Sequence, residues 1–273
     1  MARKLIFLDI DGTLTPPGTS VPPASALAAI RQAQALGHKL FLCSGRNYGM
    51  QGEVLAYGFD GTVASAGGYV VCGGQVLYDH PMTRLKLAWT LALLDGAGAY
   101  YLLETLDKAY GSEEAVQLMA SSRGGGSEAE RWKKALRENL HILPLAQRGD
   151  EQVYKVFFIT QHAERLPVEE LGKEFFVCDQ NVFSHDGVYR GELIDLAFDK
   201  GRGMAHICDY LGMSLADTVA FGDSMNDLAM LKAAGVSVCM ENGDQALKAV
   251  SDMVCPPVDG DGLAKAFRQL GLV

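Results

Sequence analysis

The sequence has 273 residues, 48 % of them hydrophobic, which is enough apolar material for one large soluble domain or two moderate ones. Its formal charge of −9, with no basic run longer than Lys133-Lys134, argues against nucleic acid and membrane surfaces as partners. An acidic chain that handles anionic substrates needs a local source of positive charge, and a bound metal ion is one such source.

The cysteines and the N-terminal residues indicate the compartment. Six cysteines occur without a CxxC spacing, mostly in apolar runs, which favours buried free thiols in a reducing environment over disulfides or a zinc site. Asp9 interrupts the first apolar run too early for a signal peptide, and no apolar stretch approaches the roughly 20 residues of a membrane span. The chain is therefore predicted to be cytoplasmic.

Short apolar runs alternate with amphipathic stretches over the first 80 residues, a rhythm typical of an α/β fold. Turns rich in glycine, proline and aspartate bound the runs, as they bound buried parallel strands. In chain order we predict a strand at Lys4 to Leu8, a polar turn at Asp9 to Gly18, a helix from Pro22 to Gly37, a strand at Lys39 to Cys43, a helix that stops near Gly58, a strand at Thr62 to Ser65 and a hairpin at Tyr69 to Tyr78.

The rhythm changes after Pro81 and returns after Arg190, which predicts a discontinuous core at 1–80 and 191–273 with an inserted α/β cap domain at 81–190. For the insertion we predict helices at Thr83 to Leu94, Ser112 to Ser121 and Glu128 to Asn139, strands at Val153 to Thr160 and Glu174 to Cys178, and a flexible loop at Gly124-Gly125-Gly126. Beyond it we predict a helix at Gly201 to Leu211, a strand at Thr218 to Phe221, a helix at Asp227 to Ala234 and a strand at Val236 to Cys239.

A pentapeptide, Asp9-Ile10-Asp11-Gly12-Thr13, directly follows the first predicted strand. Open α/β sheets bind ligands at the carboxyl ends of their strands, and two carboxylates two residues apart project to the same side of an extended segment. The glycine permits a tight turn whose exposed amides can hold phosphate oxygens. An isolated Asp-Gly after a strand is usually only a solvated turn, so the other motifs must decide between the two interpretations.

Three further polar groups occur at predicted strand ends or helix starts: Ser44, Lys200 and the segment Gly222-Asp223-Ser224-Met225-Asn226-Asp227. Each has a plain structural alternative, because Ser44 could cap a helix, Lys200 could be a solvated lysine, and the acidic loop could cap the helix after it. In this order, together with the pentapeptide, they resemble the four motifs of the haloacid dehalogenase superfamily. The resemblance implies a Rossmann-like, three-layer α/β/α core with a parallel sheet.

The resemblance also implies a phosphatase that depends on Mg²⁺ and hydrolyses a small-molecule phosphate monoester. Asp9 would be the nucleophile that forms an aspartyl-phosphate. Asp11 would first protonate the leaving alcohol and then deprotonate the attacking water, so it must hold a proton at the start. Mg²⁺ prefers oxygen ligands in an octahedron, which suits Asp9, the backbone carbonyl of Asp11 and Asp223, with Asp227 acting directly or through water.

Hydrogen-bond donors for the phosphate would come from the remaining motif residues. Lys200 would neutralise charge on the transferring group and orient it. Backbone amides would come from Ile10, Asp11 and Gly45. The other expected contacts are made by the side chains of Ser44, Arg46 and Asn226. For Arg46 a plain surface position is nearly as consistent with the sequence.

The position and mixed character of the insertion, together with Ser44-Gly45-Arg46, resemble the Cof-type branch with an α/β cap. One departure is Ala66-Gly67-Gly68, where family members often carry Asn-Gly-Ala. In such enzymes the cap excludes water and selects the leaving group. The sequence does not name the cap residues responsible, and it leaves the natural substrate, a sugar phosphate or a phosphorylated cofactor, and the oligomeric state open.

Two other functions remain open at this stage. A phosphosugar mutase would share the first motif, here followed by Leu14-Thr15-Pro16-Pro17, but would need a bisphosphate activator. A non-catalytic sensor of phosphorylated metabolites could use the same fold, although it would be favoured by the loss of an acidic motif residue, and all four are present.

Overall fold

The computed structural model describes residues 2–121, 142–179 and 187–273. These residues contain fourteen β-strands and nine α-helices, and the chain divides into two compact units. One unit comprises Met1–Arg46, Gln51–Asp79 and Phe198–Val273, and the other comprises Asn47–Met50 and His80–Ala197. The predicted helix at Glu128 to Asn139 and the predicted loop at Gly124-Gly125-Gly126 lie outside the described residues.

An eight-stranded sheet forms the centre of the first unit, in the order β14-β13-β12-β1-β2-β3-β4-β5. All neighbours from β14 to β3 are parallel, and β4 and β5 add an antiparallel hairpin at one edge. Its strands are β1 (Leu5–Leu8), β2 (Lys39–Cys43), β3 (Gly61–Ala64), β4 (Tyr69–Cys72), β5 (Gln75–Asp79), β12 (Thr218–Gly222), β13 (Val236–Met240) and β14 (Met253–Cys255).

Helices cover both faces of this sheet, so its central strands are apolar on both sides. Strand β1, with the sequence LIFL, is wholly buried and shows how this works. Ile6 and Leu8 belong to one apolar cluster, and Leu5 and Phe7 belong to the other. The helices of this unit are α1 (Ala24–Ala35), α2 (Gly52–Leu55), α6 (Lys200–Leu211), α7 (Leu228–Ala233), α8 (Gln245–Val250) and α9 (Gly262–Gln269). The predicted three-layer core with a parallel sheet is confirmed.

The register of the central strands decides where polar residues meet. Leu8 on β1 pairs with Leu42 on β2 and with Phe221 on β12, so the three strands end at the same edge. The chain runs from β1 to β2 in one direction of the sheet, and β12 lies on the other side of β1. Strand β1 therefore stands at the topological switch point, where open α/β sheets leave a crevice for ligands.

The second unit has its own six-stranded sheet, in the order β10-β11-β9-β6-β7-β8, which is antiparallel except for the pair β7 and β8. Apolar clusters lie on both of its faces. The strands are β6 (Tyr100–Glu104), β7 (Ala109–Gly111), β8 (Ile142–Pro144), β9 (Lys155–Thr160), β10 (Phe175–Asp179) and β11 (Tyr189–Asp195), and the helices are α3 (Arg84–Gly96), α4 (Glu113–Ser121) and α5 (Val168–Leu171). The predicted inserted α/β sheet is confirmed, and we call this unit the cap.

The chain enters and leaves the cap near, but not at, the predicted boundaries of 80/81 and 190/191. The sequence pattern returns to an α/β rhythm at Gly191, whereas β11 completes the cap sheet and the chain rejoins the first unit at Phe198. The short segment Asn47–Met50 also groups with the cap, because the Asn47 amide and the Gly49 N–H donate to carbonyls at Lys108 and Leu106. A pattern in sequence does not reveal such pairings between distant segments.

Across the described ranges, none of the helices combines the length and the apolar character needed to cross a membrane.

Candidate active site

The loop after β1 is held closed by its own backbone. The N–H groups of Leu14 and Thr15 donate to the carbonyl of Ile10, and the Gly12 N–H donates to the Thr15 carbonyl. Gly12 has a φ of +87°, which favours glycine, and a Cβ at this position would overlap the carboxylate of Asp223. The predicted tight turn is therefore present, and its glycine is required both by backbone conformation and by close packing.

Three buried carboxylates meet at the shared edge of β1 and β12. One oxygen from each of Asp9, Asp223 and Asp227 lies within 4.8 Å of the others, and all three side chains are buried. Asp9 directly follows β1, and the other two belong to the loop after β12. Residues more than 200 positions apart thus form one acidic cluster because adjacent parallel strands end together.

Lys200 is the cation of this cluster. Its Nζ lies 2.8 Å from Asp9 Oδ1, 2.5 Å from Asp227 Oδ1 and 3.1 Å from Asn226 Oδ1. The residue is the first of helix α6 and is 1 % exposed, so the alternative of a solvated lysine is wrong. Burial alone would lower the pKa of Lys200, but the carboxylates of Asp227 and Asp9 outweigh burial and hold the pKa well above its usual value. The ammonium group therefore stays protonated.

The carboxylates outnumber the cations at this site. Burial raises the pKa of Asp9 well above its usual value, and the charges of Asp227 and Asp11 add to this effect while Lys200 opposes it. Burial also raises the pKa of Asp223, reinforced by Asp9 and Asp227. The neighbouring carboxylates add to the effect of burial because the cluster holds more carboxylates than cations. A divalent cation with oxygen ligands would relieve this excess, so the donor set fits a hard metal ion such as Mg²⁺.

Asp227 is engaged with the protein at both oxygens. Its Oδ2 accepts hydrogen bonds from the N–H groups of Asp223 and Ser224, each at 3.0 Å, and its Oδ1 accepts one from Lys200. The capping box that Ser224 and Asp227 form shows that the acidic loop does cap the next helical turn. The bond from the Asp223 N–H to Asp227 also fixes the position of Asp223. The contacts that cap the helical turn therefore also assemble the acidic cluster.

Asp11 is paired with Arg46. The guanidinium donates from Nε to Asp11 Oδ2 and from Nη2 to Oδ1, both at 2.8 Å, and Nη2 also donates to the Thr19 carbonyl. The Gly18 N–H adds a further bond to Asp11 Oδ1. Arg46 is only 4 % exposed, so the alternative of a surface arginine is wrong. Bidentate pairs of this kind fix orientation as well as charge.

The remaining predicted phosphate contacts lie close to this region. Ser44 directly follows β2, and its hydroxyl accepts a hydrogen bond from the Arg46 N–H at 3.2 Å. It is not a helix N-cap, because α2 begins eight residues later at Gly52. The side chain of Ile10 packs in the core of the first unit, which leaves only its backbone to the site. Asn226 Oδ1 accepts bonds from Lys200 and from the Ser224 hydroxyl.

The sequence prediction assigned no role to two residues that support this loop. Thr13 is wholly buried and its hydroxyl donates to Asp223 Oδ1 at 3.0 Å. The Asn242 amide donates to the Gly12 carbonyl at 2.9 Å from the loop after β13. Because Thr13 belongs to the pentapeptide, the sequence could have indicated that it supports the site. Nothing adjacent in sequence marks Asn242, since its contact is with residue 12.

The departure at Ala66-Gly67-Gly68 has a backbone consequence. Ala66 adopts a left-handed conformation, with φ 58° and ψ 22°, where glycine and asparagine are the favoured residues. Its N–H donates to the Ser44 carbonyl, so the turn supports the end of β2. The left-handed backbone therefore explains why family members often carry asparagine at this position, without any contact between that asparagine and substrate.

The family model for haloacid dehalogenase-like hydrolases matches residues 6–267. The chain belongs to this family. Among its relatives are YkrA of Bacillus subtilis, 28 % identical over 100 % of both chains, and the pyridoxal phosphate phosphatase YbhA of Escherichia coli, 26 % identical over 97 % of both. The predicted enzyme class, a phosphatase of the haloacid dehalogenase-like family, is confirmed.

Solved structures support the same fold. A hypothetical protein from Geobacillus kaustophilus is 26 % identical, covers 100 % of both chains and has a TM-score of 0.81. The subclass IIB sugar phosphatase BT4131 is 23 % identical, covers 99 % of this chain and 100 % of its own, and has a TM-score of 0.78. Both structures match this chain over 99 % or more of its length, so the similarity includes the core and the cap.

Proposed function

We propose that this phosphatase depends on Mg²⁺ and hydrolyses a small-molecule phosphate monoester through an aspartyl-phosphate on Asp9. The observation that carries the proposal is the cluster of Asp9, Asp223 and Asp227 around protonated Lys200 at the switch point of the sheet. Asp9, Asp223 and the Asp11 carbonyl would hold the metal, and Asp227 would act on it indirectly, since both its oxygens bond to the protein. The bound metal would supply Lewis-acid neutralisation of phosphate charge.

In the first step a carboxylate oxygen of Asp9 attacks phosphorus. The Asp9 oxygen–phosphorus bond forms, the bond from phosphorus to the leaving oxygen breaks, and Asp11 gives its proton to that oxygen. The ammonium of Lys200 lies 2.8 Å from Asp9 and holds the nucleophile while offsetting charge on the phosphoryl group. The product alcohol leaves with the proton from Asp11.

In the second step water attacks the same phosphorus while Asp11 takes a proton from it. The Asp9 oxygen–phosphorus bond breaks and inorganic phosphate is released, which restores the carboxylate of Asp9 and the proton on Asp11. Both steps require that Asp11 exchange at least one of its hydrogen bonds with Arg46, because the guanidinium occupies both of its oxygens. The Ile10 and Gly45 amides, Ser44 and Asn226 remain the proposed phosphate donors.

The proposed substrate class is a sugar phosphate or a phosphorylated cofactor. Two relatives support it by name, the pyridoxal phosphate phosphatase YbhA and the sugar phosphatase BT4131, both at low identity. We assign the chemistry to residues 1–80 and 191–273 and leaving-group selection to the inserted cap at 81–190, with the boundaries adjusted as above. The partner is thus a small phosphate ester, with no nucleic acid or membrane.

Phosphate release from a panel of metabolite phosphates, measured with and without Mg²⁺, tests this function. We expect Mg²⁺-dependent release and labelling of Asp9 by beryllium fluoride, a mimic of the phosphoryl group. Isomerised product that appears only with a bisphosphate activator would identify a mutase instead. No release, together with no labelling of Asp9, would identify a non-catalytic sensor.

A further inference from the structure

Two glycines lie near the start of helix α6, directly after Lys200. Gly201 and Gly203 are both buried, and neither has a positive φ, so the backbone conformation does not require glycine at either position. After proline, glycine is the least favourable residue in a helix, because it loses the most conformational freedom on folding. Two of them so close together weaken the helix, which indicates that close packing is the reason for both.

Each of these glycines allows a close approach by a different neighbour. A Cβ on Gly201 would lie 2.6 Å from the carbonyl oxygen of Ala229 in helix α7. A Cβ on Gly203 would overlap Cγ1 of Val63 on strand β3 and would lie 3.2 Å from its Cγ2. An alanine at either position would therefore push the start of α6 away from α7 or from β3.

Neither neighbour can easily move out of the way. Val63 is wholly buried and belongs to the same apolar cluster as Met204 and Ile207 of α6. Its branched side chain has few rotamers to choose from, and the surrounding core is closely packed. Ala229 meets Gly201 through its backbone carbonyl, which no rotamer change removes. The helix, and not its neighbours, would have to shift.

Two further contacts hold the backbone at the start of α6. Gly67, in the turn after β3, has a φ of +115°, and a Cβ on it would overlap the carbonyl of Asp199. The thiol of Cys43, at the end of β2, donates to the carbonyl of Lys200 at 3.8 Å. The backbone on both sides of Lys200 is therefore enclosed by strands β2 and β3, the turn after β3, and α7.

A fixed backbone matters at Lys200 because its ammonium stands at the end of a flexible four-carbon side chain. Nζ contacts both Asp9 and Asp227, and the whole side chain is 1 % exposed. A misplacement of about 1 Å in a group that orients the reacting atoms can cost roughly 10²-fold in rate. The contacts that set the position of helix α6 therefore also set the position of the ammonium.

We infer that Gly203 is a positioning residue for Lys200. The missing side chain lets α6 pack against Val63 closely enough for the ammonium to reach Asp9, and Gly201 does the same on the side of α7. The inference rests on the proposed function, in which Lys200 holds the nucleophile. Lys200 is not among the proposed metal ligands, so its displacement should lower kcat without raising the Mg²⁺ requirement.

The test begins with Gly203→Ala. We expect kcat on the best substrate of the panel to fall about 10-fold or more, because the added methyl group displaces the start of α6. Val63→Ala removes both Cγ atoms and leaves only Val63 Cβ, which lies 3.4 Å from the added Cβ, an ordinary contact. The double variant of Gly203→Ala with Val63→Ala should therefore recover kcat to within about threefold of wild type.

Gly52→Ala is the matched control. Gly52 is the first residue of helix α2, its φ is not positive, and no described atom beyond its own neighbours in that helix lies within 4 Å of an added Cβ. This variant should change kcat by less than about twofold.

The Mg²⁺ requirement separates positioning of Lys200 from a general loosening of the acidic cluster. The ammonium competes with a metal ion for the carboxylate of Asp9, so its displacement should leave the Mg²⁺ concentration for half-maximal activity unchanged or lower it. Calorimetric titration with Mg²⁺ makes the same comparison without relying on activity. A weaker affinity for Mg²⁺ that accompanies the fall in kcat would indicate general loosening and would overturn the inference.

Two other results would also overturn it: a Gly203→Ala variant with the kcat of wild type, and a double variant that is no more active than the single one. If Gly203→Ala fails to fold, Val63→Ile enlarges the same contact from the strand side. That variant should lower kcat about threefold or more with no rise in the Mg²⁺ requirement, and an unchanged kcat would refute the positioning role. A wild type with no phosphatase activity on any ester would instead refute the proposed function.

Discussion

The two clusters of buried charge differ in their balance. In the first unit, Asp9, Asp11, Asp223 and Asp227 face Lys200 and Arg46, an excess of two negative charges. In the cap, Glu104 and Glu192 face Lys155 and Arg190, each at most 1 % exposed, and the four formal charges sum to zero. An excess of buried carboxylate calls for a cation, whereas charges that sum to zero can balance one another within the protein. Net charge, and not burial alone, therefore indicates whether a buried cluster needs a further ion.

Among substitutions in the acidic cluster, replacing the proposed nucleophile, Asp9, should lower activity the most. In Asp9→Asn we expect kcat to fall at least about 10³-fold, because an amide does not form the acyl-phosphate bond. Phosphate release from the best substrate of the panel measures the fall in kcat. Intact-protein mass after beryllium fluoride treatment measures the loss of labelling at residue 9. Glu164→Gln, at an exposed side chain of the cap, serves as the unaffected control. Residual turnover within tenfold of wild type would contradict the role of Asp9.

The pairing of Arg46 with Asp11 makes a prediction that depends on the leaving group. In Arg46→Gln we expect kcat on an alkyl phosphate to fall roughly 10- to 100-fold, because Asp11 loses the guanidinium that would hold one of its oxygens while the other exchanges a proton with the leaving group. With 4-nitrophenyl phosphate, whose leaving group needs little protonation, the fall should be less than about threefold. Equal losses on both substrates would show that Arg46 binds phosphate, as the sequence resemblance implies. Arg46→Lys, which keeps the charge but not the bidentate geometry, should resemble the glutamine variant.

The hydroxyl of Thr13 should control metal affinity. Thr13→Val keeps the shape of the side chain and removes the hydrogen bond to Asp223 Oδ1. Because outer hydrogen bonds orient metal ligands, we expect the Mg²⁺ concentration for half-maximal activity to rise about 10-fold, with kcat at saturating Mg²⁺ changed less. A titration of activity against Mg²⁺ measures it. Thr105→Val in the cap is a control that should leave the Mg²⁺ requirement unchanged.

The smallest expected effect is on stability, and its sign follows from the raised pKa values of Asp9 and Asp223. Unfolded aspartate has a pKa of about 3.9, so above that value the folded, metal-free protein retains protons that the unfolded chain has lost. The stability that these two groups contribute is therefore present at low pH and is lost as pH rises through their folded pKa values. Protons also compete with Mg²⁺ for both carboxylates.

Mg²⁺ should therefore stabilise the protein more at pH 8 than at pH 5. The stabilisation should reach about 2.7 kcal/mol when the free Mg²⁺ concentration is 100 times its Kd. Thermal unfolding at both pH values, with Mg²⁺ and with EDTA, measures the difference. In Asp223→Asn the gain from Mg²⁺ should largely disappear. A gain that is equal at both pH values would refute the link to these carboxylates.

The sequence by itself determined the core fold and the residues of the acidic cluster. Strand β1 is a continuous apolar run with a polar segment after it, and such runs mark buried parallel strands whose ends carry function. Asp9 and Asp223 come after predicted strands, and Lys200 directly precedes a predicted helix. These signals are local in sequence, which is why they could be found without coordinates.

Only the tertiary structure decided the contacts between distant residues. The bidentate pair of Asp11 and Arg46, and the bond from Asn242 to Gly12, depend on which strand ends lie side by side. The buried ion pair of Glu104 and Lys155 was invisible for the same reason, since both residues stand inside strands, where a lone charge usually indicates a solvated face. Burial and partners are properties of the packed chain, and one residue's identity does not encode them.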